Sequence, residues 1–225
     1  FRSSMHLFDA GLNFMGGYAI VGGQLPIAVG LALAVKYLAQ DSAVLVFFGD
    51  GAINEGSFHE SLNMASLWNL PVIFFLENNL YGMGTHVKKS TAASSDIYTI
   101  AEYYKIPAIQ LDGMDLIAVR ESTMEALKQI RSGVGPVFIE AMSYRFKGHS
   151  ASDSGSYRPK HEVAEWIARD PIERFRKFLL AEAIISEEEI SEIDRAMGDV
   201  VEDAITFARE SPDPNLDTLY EHVYA

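Results

Sequence analysis

The stretch FGDGAINEGSFHESLNMASLWNLPVIFFLENNLYGMGT, Phe48–Thr85, decides the fold. An apolar run over 43–48 stops at Gly49-Asp50-Gly51, and a second run over 71–76 stops at Glu77-Asn78-Asn79. Short apolar runs bounded by turn residues are typical of strands that are buried on both faces. Between them, apolar residues recur at helical spacing, so the stretch predicts a strand–helix–strand unit with parallel strands. The two polar clusters then meet at the carboxyl edge of the sheet, where open α/β sheets bind ligands.

The residue types in these clusters indicate a magnesium–diphosphate site. Asp50 supplies one anionic oxygen, Asn79 supplies an amide oxygen, and an exposed backbone carbonyl just after Asn79 could supply a third. Few protein ligands, all of them oxygen, suit Mg²⁺ that is otherwise held by phosphates and water. The backbone N–H groups of Gly51 and Ala52 are free to point at phosphate oxygens. The alternative reading is that each cluster is an ordinary turn, since turn residues gather in many loops.

Composition excludes several classes of protein. The 225 residues carry a net charge of −13, which argues against nucleic acid as a partner. The chain has no cysteine, so neither disulfides nor thiolate catalysis is available to it. No apolar run reaches the length of a membrane span, and we expect no membrane partner.

The rest of the chain continues the alternation of strand and helix. It predicts an α/β fold with three layers, in which a mostly parallel sheet has helices on both faces, followed by a C-terminal helical extension. We expect the α/β core over 1–159, with a functional loop over 144–159, and the extension over 160–225. We expect a polar, mobile loop over 80–95. The predicted strands cover 43–48, 71–76, 106–111 and 136–142, and the predicted helices cover 25–38, 56–68, 97–104, 115–132, 160–169, 171–183 and 186–210.

Four motifs give the chain a family resemblance. They are GGYAIVGGQLP (Gly16–Pro26), FHESLNMASLWNLPVIFFLENNLYGMGT (Phe58–Thr85), LDGMD (Leu111–Asp115) and YRFKGHSASD (Tyr144–Asp153). With the GDG…NN pair, they resemble the alpha subunit of thiamine diphosphate-dependent 2-oxo acid dehydrogenases, with the pyruvate dehydrogenase type as the nearest match.

The resemblance implies thiamine diphosphate and Mg²⁺ as cofactors. It implies that Asp50, Asn79 and Tyr81 hold the metal, and that Gly51 and Ala52 contact the diphosphate. It also implies that the segment Ala19, Ile20 and Val21 lines the aminopyrimidine ring. It assigns His149 a catalytic role beside the diphosphate and the reactive side of the cofactor, although a lone histidine in a loop is by default a surface residue.

The resemblance further implies partners. In the family, a beta subunit supplies the activating glutamate, an α2β2 heterotetramer is formed, and a lipoyl-bearing acyltransferase receives the acyl group from a 2-oxo acid substrate. A leading segment with a Tyr-Arg pair that clamps the diphosphate would precede Phe1, and we expect this chain to lack it. The resemblance also implies that the loop over 144–159, which includes Ser150, carries the serines that kinases modify in mitochondrial relatives. The implied location is the bacterial cytoplasm or the matrix of a mitochondrion or plastid.

Three functions stay open from the sequence. The first is the alpha subunit of a 2-oxo acid dehydrogenase, acting on pyruvate or, alternatively, on acetoin or branched-chain 2-oxo acids. The second is a truncated module that binds cofactor and assembles with a partner without catalysis. The third is another Mg²⁺–nucleotide binder with a doubly wound sheet, although neither a Walker loop nor a GxGxxG follows the first strand.

Overall fold

The computed structural model describes residues 6–93 and 95–221. It contains a parallel sheet of four strands and a separate two-stranded hairpin. The strands are β1 (Val44–Gly49), β2 (Val72–Asn78), β3 (Tyr81–Gly82), β4 (Thr85–His86), β5 (Ala108–Asp112) and β6 (Val137–Met142). The large sheet has the order β1-β2-β6-β5, and every neighbouring pair in it is parallel. This confirms the predicted fold class.

Eight α-helices accompany the strands in the described part of the chain. They are α1 (Gln24–Tyr37), α2 (Gly56–Leu67), α3 (Val87–Ser90), α4 (Thr99–Tyr103), α5 (Leu116–Arg131), α6 (Lys160–Ile167), α7 (Pro171–Ala181) and α8 (Glu187–Glu210). Each predicted helix and each predicted strand of the large sheet is present. The segment over 80–95, predicted as a polar loop, instead contains the β3–β4 hairpin and α3. Ser94 lies outside the described residues.

The strand side chains alternate between two apolar layers. Phe74 of β2 packs with α1 and α2 in one cluster, whereas Phe75 packs with α5 in the other. Successive residues of a strand point to opposite faces, so a strand covered on both faces is apolar throughout. Helices on both sides of the sheet therefore give the three layers that the sequence predicts.

The first helix, α1, is buried along one stripe. Its buried residues are Leu25, Ala28, Val29 and Ala32, which share one helical face. The sequence predicts burial nearly all round, against the sheet and a partner. In this single chain Ile27, Leu33 and Tyr37 are exposed, so coverage of the outer face by a partner stays a prediction.

The chain divides into two units, Met5–Phe175 and a second that holds Arg176–Ala225. The sequence places the boundary at 159/160, and that assignment stays a prediction. In the second unit, α8 begins with a capping box, which the Ser-x-x-Glu pattern at Ser186 predicts. Ser186 Oγ accepts from the Glu189 amide, and Glu189 Oε2 accepts from the Ser186 amide. No described helix combines the length and apolar character that crossing a membrane requires.

Candidate cofactor and metal site

Asp50 is a buried carboxylate with an unpartnered oxygen. Strand β1 ends at Gly49, and Asp50 opens one turn of 3-10 helix, Asp50–Asn54. The residue is 2% exposed, and its Oδ2 atom has no hydrogen-bond partner. Burial raises the pKa of the Asp50 carboxyl, against the opposing influence of backbone N–H groups and the Arg145 charge. A buried anionic oxygen without a protein partner is the kind of atom that a bound cation would compensate.

Parallel pairing brings the second turn beside this carboxylate. Gly49 of β1 pairs with Glu77 of β2, so the chain leaves both strands at the same edge. The backbone N–H of Asn79 acts on the Asp50 carboxyl and lowers its pKa. The Asn79 side-chain Oδ1 accepts from the Tyr81 amide at 3.2 Å. The structure therefore places Asp50 and Asn79 together, as the sequence predicts.

The β3–β4 hairpin lies directly over the glycine turn. A Cβ atom built on Gly82 would lie 3.5 Å from the Gly51 Cα and 4.0 Å from Asp50 Oδ2. Both distances are ordinary van der Waals contacts, so the hairpin packs against the turn that holds Asp50 and Gly51. Gly51 is half-buried and Ala52 is buried in the same turn. Their predicted contact with a diphosphate stays a prediction.

Tyr81 contributes its backbone to the site, since its ring is packed away. The ring is buried against His86 at 4.8 Å between centroids and against Tyr157 at 5.7 Å. Burial and the neighbouring Glu162 carboxylate raise the pKa of Tyr81 to about 12, so the phenol stays neutral at physiological pH. A neutral phenol is a poor ligand for Mg²⁺, whereas a carbonyl oxygen suits it. The main-chain oxygen is thus the atom of Tyr81 that fits the predicted metal role.

The donor set suits a phosphate-bound cation better than an all-protein metal cage. No group of three or more His, Cys, Asp or Glu side chains that could hold a metal exists within 6–93 and 95–221. One carboxylate, one amide and one carbonyl leave most of the coordination sphere of Mg²⁺ to phosphate and water oxygens.

The segment Ala19, Ile20 and Val21 forms an exposed turn before α1. Ile20 is 78% exposed. Gly22, at the end of the turn, packs against Ser57, because an added Cβ at Gly22 would lie 3.1 Å from Ser57 Oγ. This segment therefore lies beside the start of α2. In the described part of the chain it takes no part in the hydrogen-bonded group around Asp50, so its role toward an aminopyrimidine stays a prediction.

Arg145 links the loop that contains His149 to the backbone of the β3–β4 hairpin. Its Nη1 donates to the Tyr81 carbonyl at 3.3 Å, and its Nη2 donates to the Met83 carbonyl at 2.8 Å. The same Nη1 lies 3.3 Å from His149 Nδ1, and His149 itself is exposed. The sequence motif YRFKGHS contains this arginine, yet sequence reasoning assigned it no role. The structure thus brings the predicted residues Tyr81 and His149 together through Arg145.

Asp153 orders the loop around His149. Its carboxylate accepts hydrogen bonds from the His149 amide at 2.7 Å, the Gly155 amide at 2.8 Å and the Tyr157 hydroxyl at 2.8 Å. The bonds from His149, Gly155 and Tyr157 lower the pKa of Asp153 to about 2. Because the pKa of Asp153 is lowered in the folded chain, the stability that these bonds contribute is fully present above pH 3.8. That stability is lost as the pH falls through about 2. Ser150, in the same loop, is exposed.

Replacing Tyr157 with phenylalanine is expected to loosen this loop without removing its ring packing. The hydroxyl donates to Asp153 and accepts from Arg145 Nη2 at 2.8 Å, so Tyr157→Phe removes both bonds. Hydrogen bonds at a partly exposed site contribute about 0.5–1.5 kcal/mol, which predicts roughly 2–10-fold faster amide exchange at His149 and Gly155. Tyr37→Phe, at an exposed tyrosine of α1, should leave those two amides unchanged. Equal exchange rates in wild type and Tyr157→Phe would contradict the role of the hydroxyl.

The fold and the site together define a class of protein. Adjacent strand ends of the parallel sheet present a carboxylate, an amide and a carbonyl. This arrangement is typical of α/β proteins that bind a ligand at the carboxyl edge of the sheet.

The chain belongs to the Dehydrogenase E1 component family, whose sequence model matches residues 2–217. It is 42% identical over 221 residues to the pyruvate dehydrogenase E1 component subunit alpha of Rickettsia bellii, covering 98% of this chain and 68% of the relative. It is 45% identical over 224 residues to the human mitochondrial somatic form of that subunit, covering 99% of this chain and 56% of the relative. For the subunit of Rhizobium meliloti, the identity is 42% and the covered share of the relative is 63%.

These matches confirm the family resemblance drawn from the four motifs. The similar proteins include bacterial proteins and proteins named as mitochondrial. The chain spans between 56% and 68% of the length of the three relatives described above.

Proposed function

We propose that the chain is the alpha subunit of a thiamine diphosphate- and Mg²⁺-dependent 2-oxo acid dehydrogenase that acts on pyruvate and passes the acyl group to lipoyl groups. The observation that carries the proposal is the unpartnered Oδ2 of buried Asp50 beside Asn79, at the carboxyl edge of the sheet. The names of the similar proteins, which are pyruvate dehydrogenase alpha subunits, support the choice of pyruvate.

The chain's own residues would hold the cofactor at its diphosphate end. Asp50, Asn79 and the Tyr81 carbonyl would bind Mg²⁺, which would neutralise the repulsion between Asp50 and the diphosphate. Thiamine diphosphate supplies the nucleophilic carbon and the electron sink that decarboxylation of a 2-oxo acid needs. Arg145, which contacts both groups, would fix the position of His149 relative to the Tyr81 carbonyl.

His149 would act beside the diphosphate as the catalytic residue of this chain. Asp153 fixes its backbone through the 2.7 Å hydrogen bond, and Arg145 lies beside its ring nitrogen. Exposure of the loop leaves His149 accessible to a substrate that arrives from solvent or from a partner.

The proposal includes partners. A beta subunit would supply the glutamate that activates the aminopyrimidine, in an α2β2 assembly, and a lipoyl-bearing acyltransferase would accept the acyl group. The description of the relatives as subunit alpha supports a second type of subunit. We place the protein in the cytoplasm of a bacterium or in an organelle matrix, in line with the sources of its relatives.

The test is a calorimetric titration of thiamine diphosphate into the chain assembled with its beta subunit, with and without Mg²⁺. We expect saturable binding that requires the metal, followed by CO₂ release from pyruvate in a single turnover. Binding without CO₂ release would instead favour a module that only binds cofactor and assembles. Protection against heating by a nucleotide, but not by thiamine diphosphate, would overturn the proposal.

A further inference from the structure

Glu140 is a fully buried carboxylate in the middle of the sheet. It lies on β6, is 0% exposed, and pairs in register with Leu76 of β2. Burial of a charge is costly unless hydrogen bonds compensate it. The site described above gives Glu140 no role, so its presence among apolar strand residues requires another explanation.

Every hydrogen-bond partner that the structure gives the Glu140 carboxylate is a donor. Oε1 accepts from the Asn78 side-chain Nδ2 at 2.7 Å. Oε2 accepts from the Tyr98 amide at 3.0 Å and from Gln110 Nε2 at 3.1 Å. Because a carboxylate can only accept, it requires Asn78 to present its NH₂ group.

This requirement sets the direction of the Asn78 amide. With Nδ2 held by Glu140, the Asn78 Oδ1 faces the chain that follows and accepts from the Leu80 amide at 3.2 Å. The Asn78 carbonyl also accepts from the Ser143 amide at 2.9 Å. Asn78 is 0% exposed, so bulk water does not compete for these bonds.

The residue held in this way has a strained backbone. Leu80 has φ +71°, in the left-handed region that leucine rarely adopts. It lies between Asn79 and Tyr81, whose oxygens are the candidate metal ligands. A turn with this backbone persists only where its surroundings hold it, and the Asn78 side chain is one of those supports.

We propose that Glu140 is a positioning residue for the metal site. Acting through Asn78, it would hold the Leu80 turn in the conformation that directs the Asn79 side chain and the Tyr81 carbonyl to one cation. The inference rests on the proposed function, since it assumes that these atoms bind Mg²⁺ with thiamine diphosphate. Partners that orient the ligands of a metal typically change its affinity about 10–100-fold when they are altered.

Glu140→Gln tests the proposal because it keeps the shape and changes one oxygen to an NH₂ group. That NH₂ group must face either Asn78 Nδ2 or the Tyr98 amide, and both are donors. If Asn78 turns its amide round to accept, its own NH₂ group faces the Leu80 amide. An arrangement that keeps the bond to Asn78 opposes two donors at the Tyr98 amide instead. Each arrangement thus loses at least one hydrogen bond of the network that fixes position 140 and Asn78, so we expect about tenfold weaker binding of Mg²⁺ at a fixed thiamine diphosphate concentration.

The double variant Glu140→Gln with Asn78→Asp reverses the central bond and rebuilds the network. The new amide at position 140 would donate to the new carboxylate at position 78 and would accept from Tyr98 and Gln110. The carboxylate at position 78 would still accept from the Leu80 amide, so the number of hydrogen bonds and the total charge are those of the wild type. We expect metal affinity to return to within about threefold of the wild type, whereas Asn78→Asp alone places two carboxylates together and should be the weakest of the three.

The measurements are the Mg²⁺ dissociation constant and, separately, the thermal midpoint without metal or cofactor. Ser61→Ala, at a buried hydroxyl of α2 with no hydrogen-bond partner, is the control and should leave the metal affinity unchanged. A purely structural role for Glu140 would shift the thermal midpoint and leave the affinity of the folded protein alone.

The outcomes separate this inference from the proposed function. Wild-type affinity in folded Glu140→Gln, or a folded double variant that binds no better than Glu140→Gln, would overturn the inference alone. If Glu140→Gln does not fold, recovery of both folding and affinity in the double variant supports the coupling, and a folded double variant with weak affinity overturns it. A wild-type protein without metal-dependent binding would overturn the proposed function and the inference with it.

Discussion

Asp50→Asn is expected to abolish metal-dependent binding of thiamine diphosphate. The substitution keeps the shape of the side chain and removes the only negative charge among the three candidate metal ligands, Asp50, Asn79 and the Tyr81 carbonyl. Changes to groups that merely orient a metal ligand cost about 10–100-fold, so loss of the charged ligand itself should weaken binding by more than about 100-fold. Calorimetric titration of thiamine diphosphate at saturating Mg²⁺ measures the effect.

The same variant should be more stable than the wild type when no ligand is present. Asp50 is buried, its Oδ2 has no hydrogen-bond partner, and burial raises its pKa. A neutral amide is cheaper to bury than a carboxylate, and removal of the unpaired charge should stabilise the chain by about 1 kcal/mol.

The pH dependence of this difference has a defined sign. The pKa of Asp50 is higher in the folded chain than its ordinary value of 3.8. Protonation therefore favours the folded state, and the stability that it contributes is present below pH 3.8 and is lost as the pH rises through the folded pKa. The thermal midpoint of Asp50→Asn should therefore exceed that of the wild type by more at neutral pH than near pH 3.8.

The control removes the same charge from a solvent-exposed position. Asp199→Asn on α8 should leave both cofactor binding and the pH dependence unchanged, because Asp199 is exposed. Undiminished metal-dependent binding by Asp50→Asn would show that the cation is held elsewhere.

The sheet and the two turns that hold Asp50 and Asn79 were predictable because apolar parallel strands have a strong local signature. The runs that became β1 and β2 are apolar on both faces, and the turn residues after them mark where each strand ends. The predicted burial on both faces holds for β2, whereas Leu45 and Phe47 of β1 are exposed because β1 is an edge strand. Parallel pairing then requires those ends to adjoin, which is why Asp50 and Asn79 could be placed together without a structure. The Asn79 backbone N–H lowers the pKa of the Asp50 carboxyl, which agrees with that reasoning.

The support around His149 was not predictable from local pattern. Arg145, Asp153 and Tyr157 lie in a loop, where no periodicity indicates which side chains meet. Their partners include the backbone of the β3–β4 hairpin, which has only two residues in each strand and therefore no recognisable strand pattern. Such a hairpin is fixed by long-range hydrogen bonds, and its sequence is typical of a polar loop.

Glu140 was missed for a different reason, and a signal for it did exist. It interrupts the apolar run Val137–Met142, which the sequence marks as a strand covered on both faces. A charged residue in such a strand must have buried partners or a function, since an uncompensated charge there is too costly. The sequence could have shown that a partner was required, although only the fold identifies it as Asn78.

Phe58→Ala is expected to cause the largest loss of folding stability among the changes considered. Phe58 on α2 is 0% exposed, and its ring centroid lies 5.8 Å from that of Phe48 and 6.2 Å from that of Phe138. The side chain thus joins α2 to β1 and β6 on the face of the sheet that also packs α1. Truncation of a buried phenylalanine typically costs about 3–5 kcal/mol, because apolar contact is lost and a cavity remains. Urea denaturation followed by circular dichroism measures the free energy of unfolding.

Leu67→Ala is the matched control on the same helix, because Leu67 is exposed and its truncation should change the free energy of unfolding by no more than about 0.5 kcal/mol. A cost below about 1 kcal/mol for Phe58→Ala would mean that the Phe48–Phe58–Phe138 contact does not hold α2 to the sheet.

The loss of stability in Phe58→Ala should also respond to ligand, since Phe58 supports the site without belonging to it. Ligand at 100 times its dissociation constant stabilises a folded protein by about 2.7 kcal/mol, so Mg²⁺ with thiamine diphosphate should restore much of the stability of Phe58→Ala. Asp50→Asn should show no such gain, because it has lost the cation on which the stabilising ligand depends.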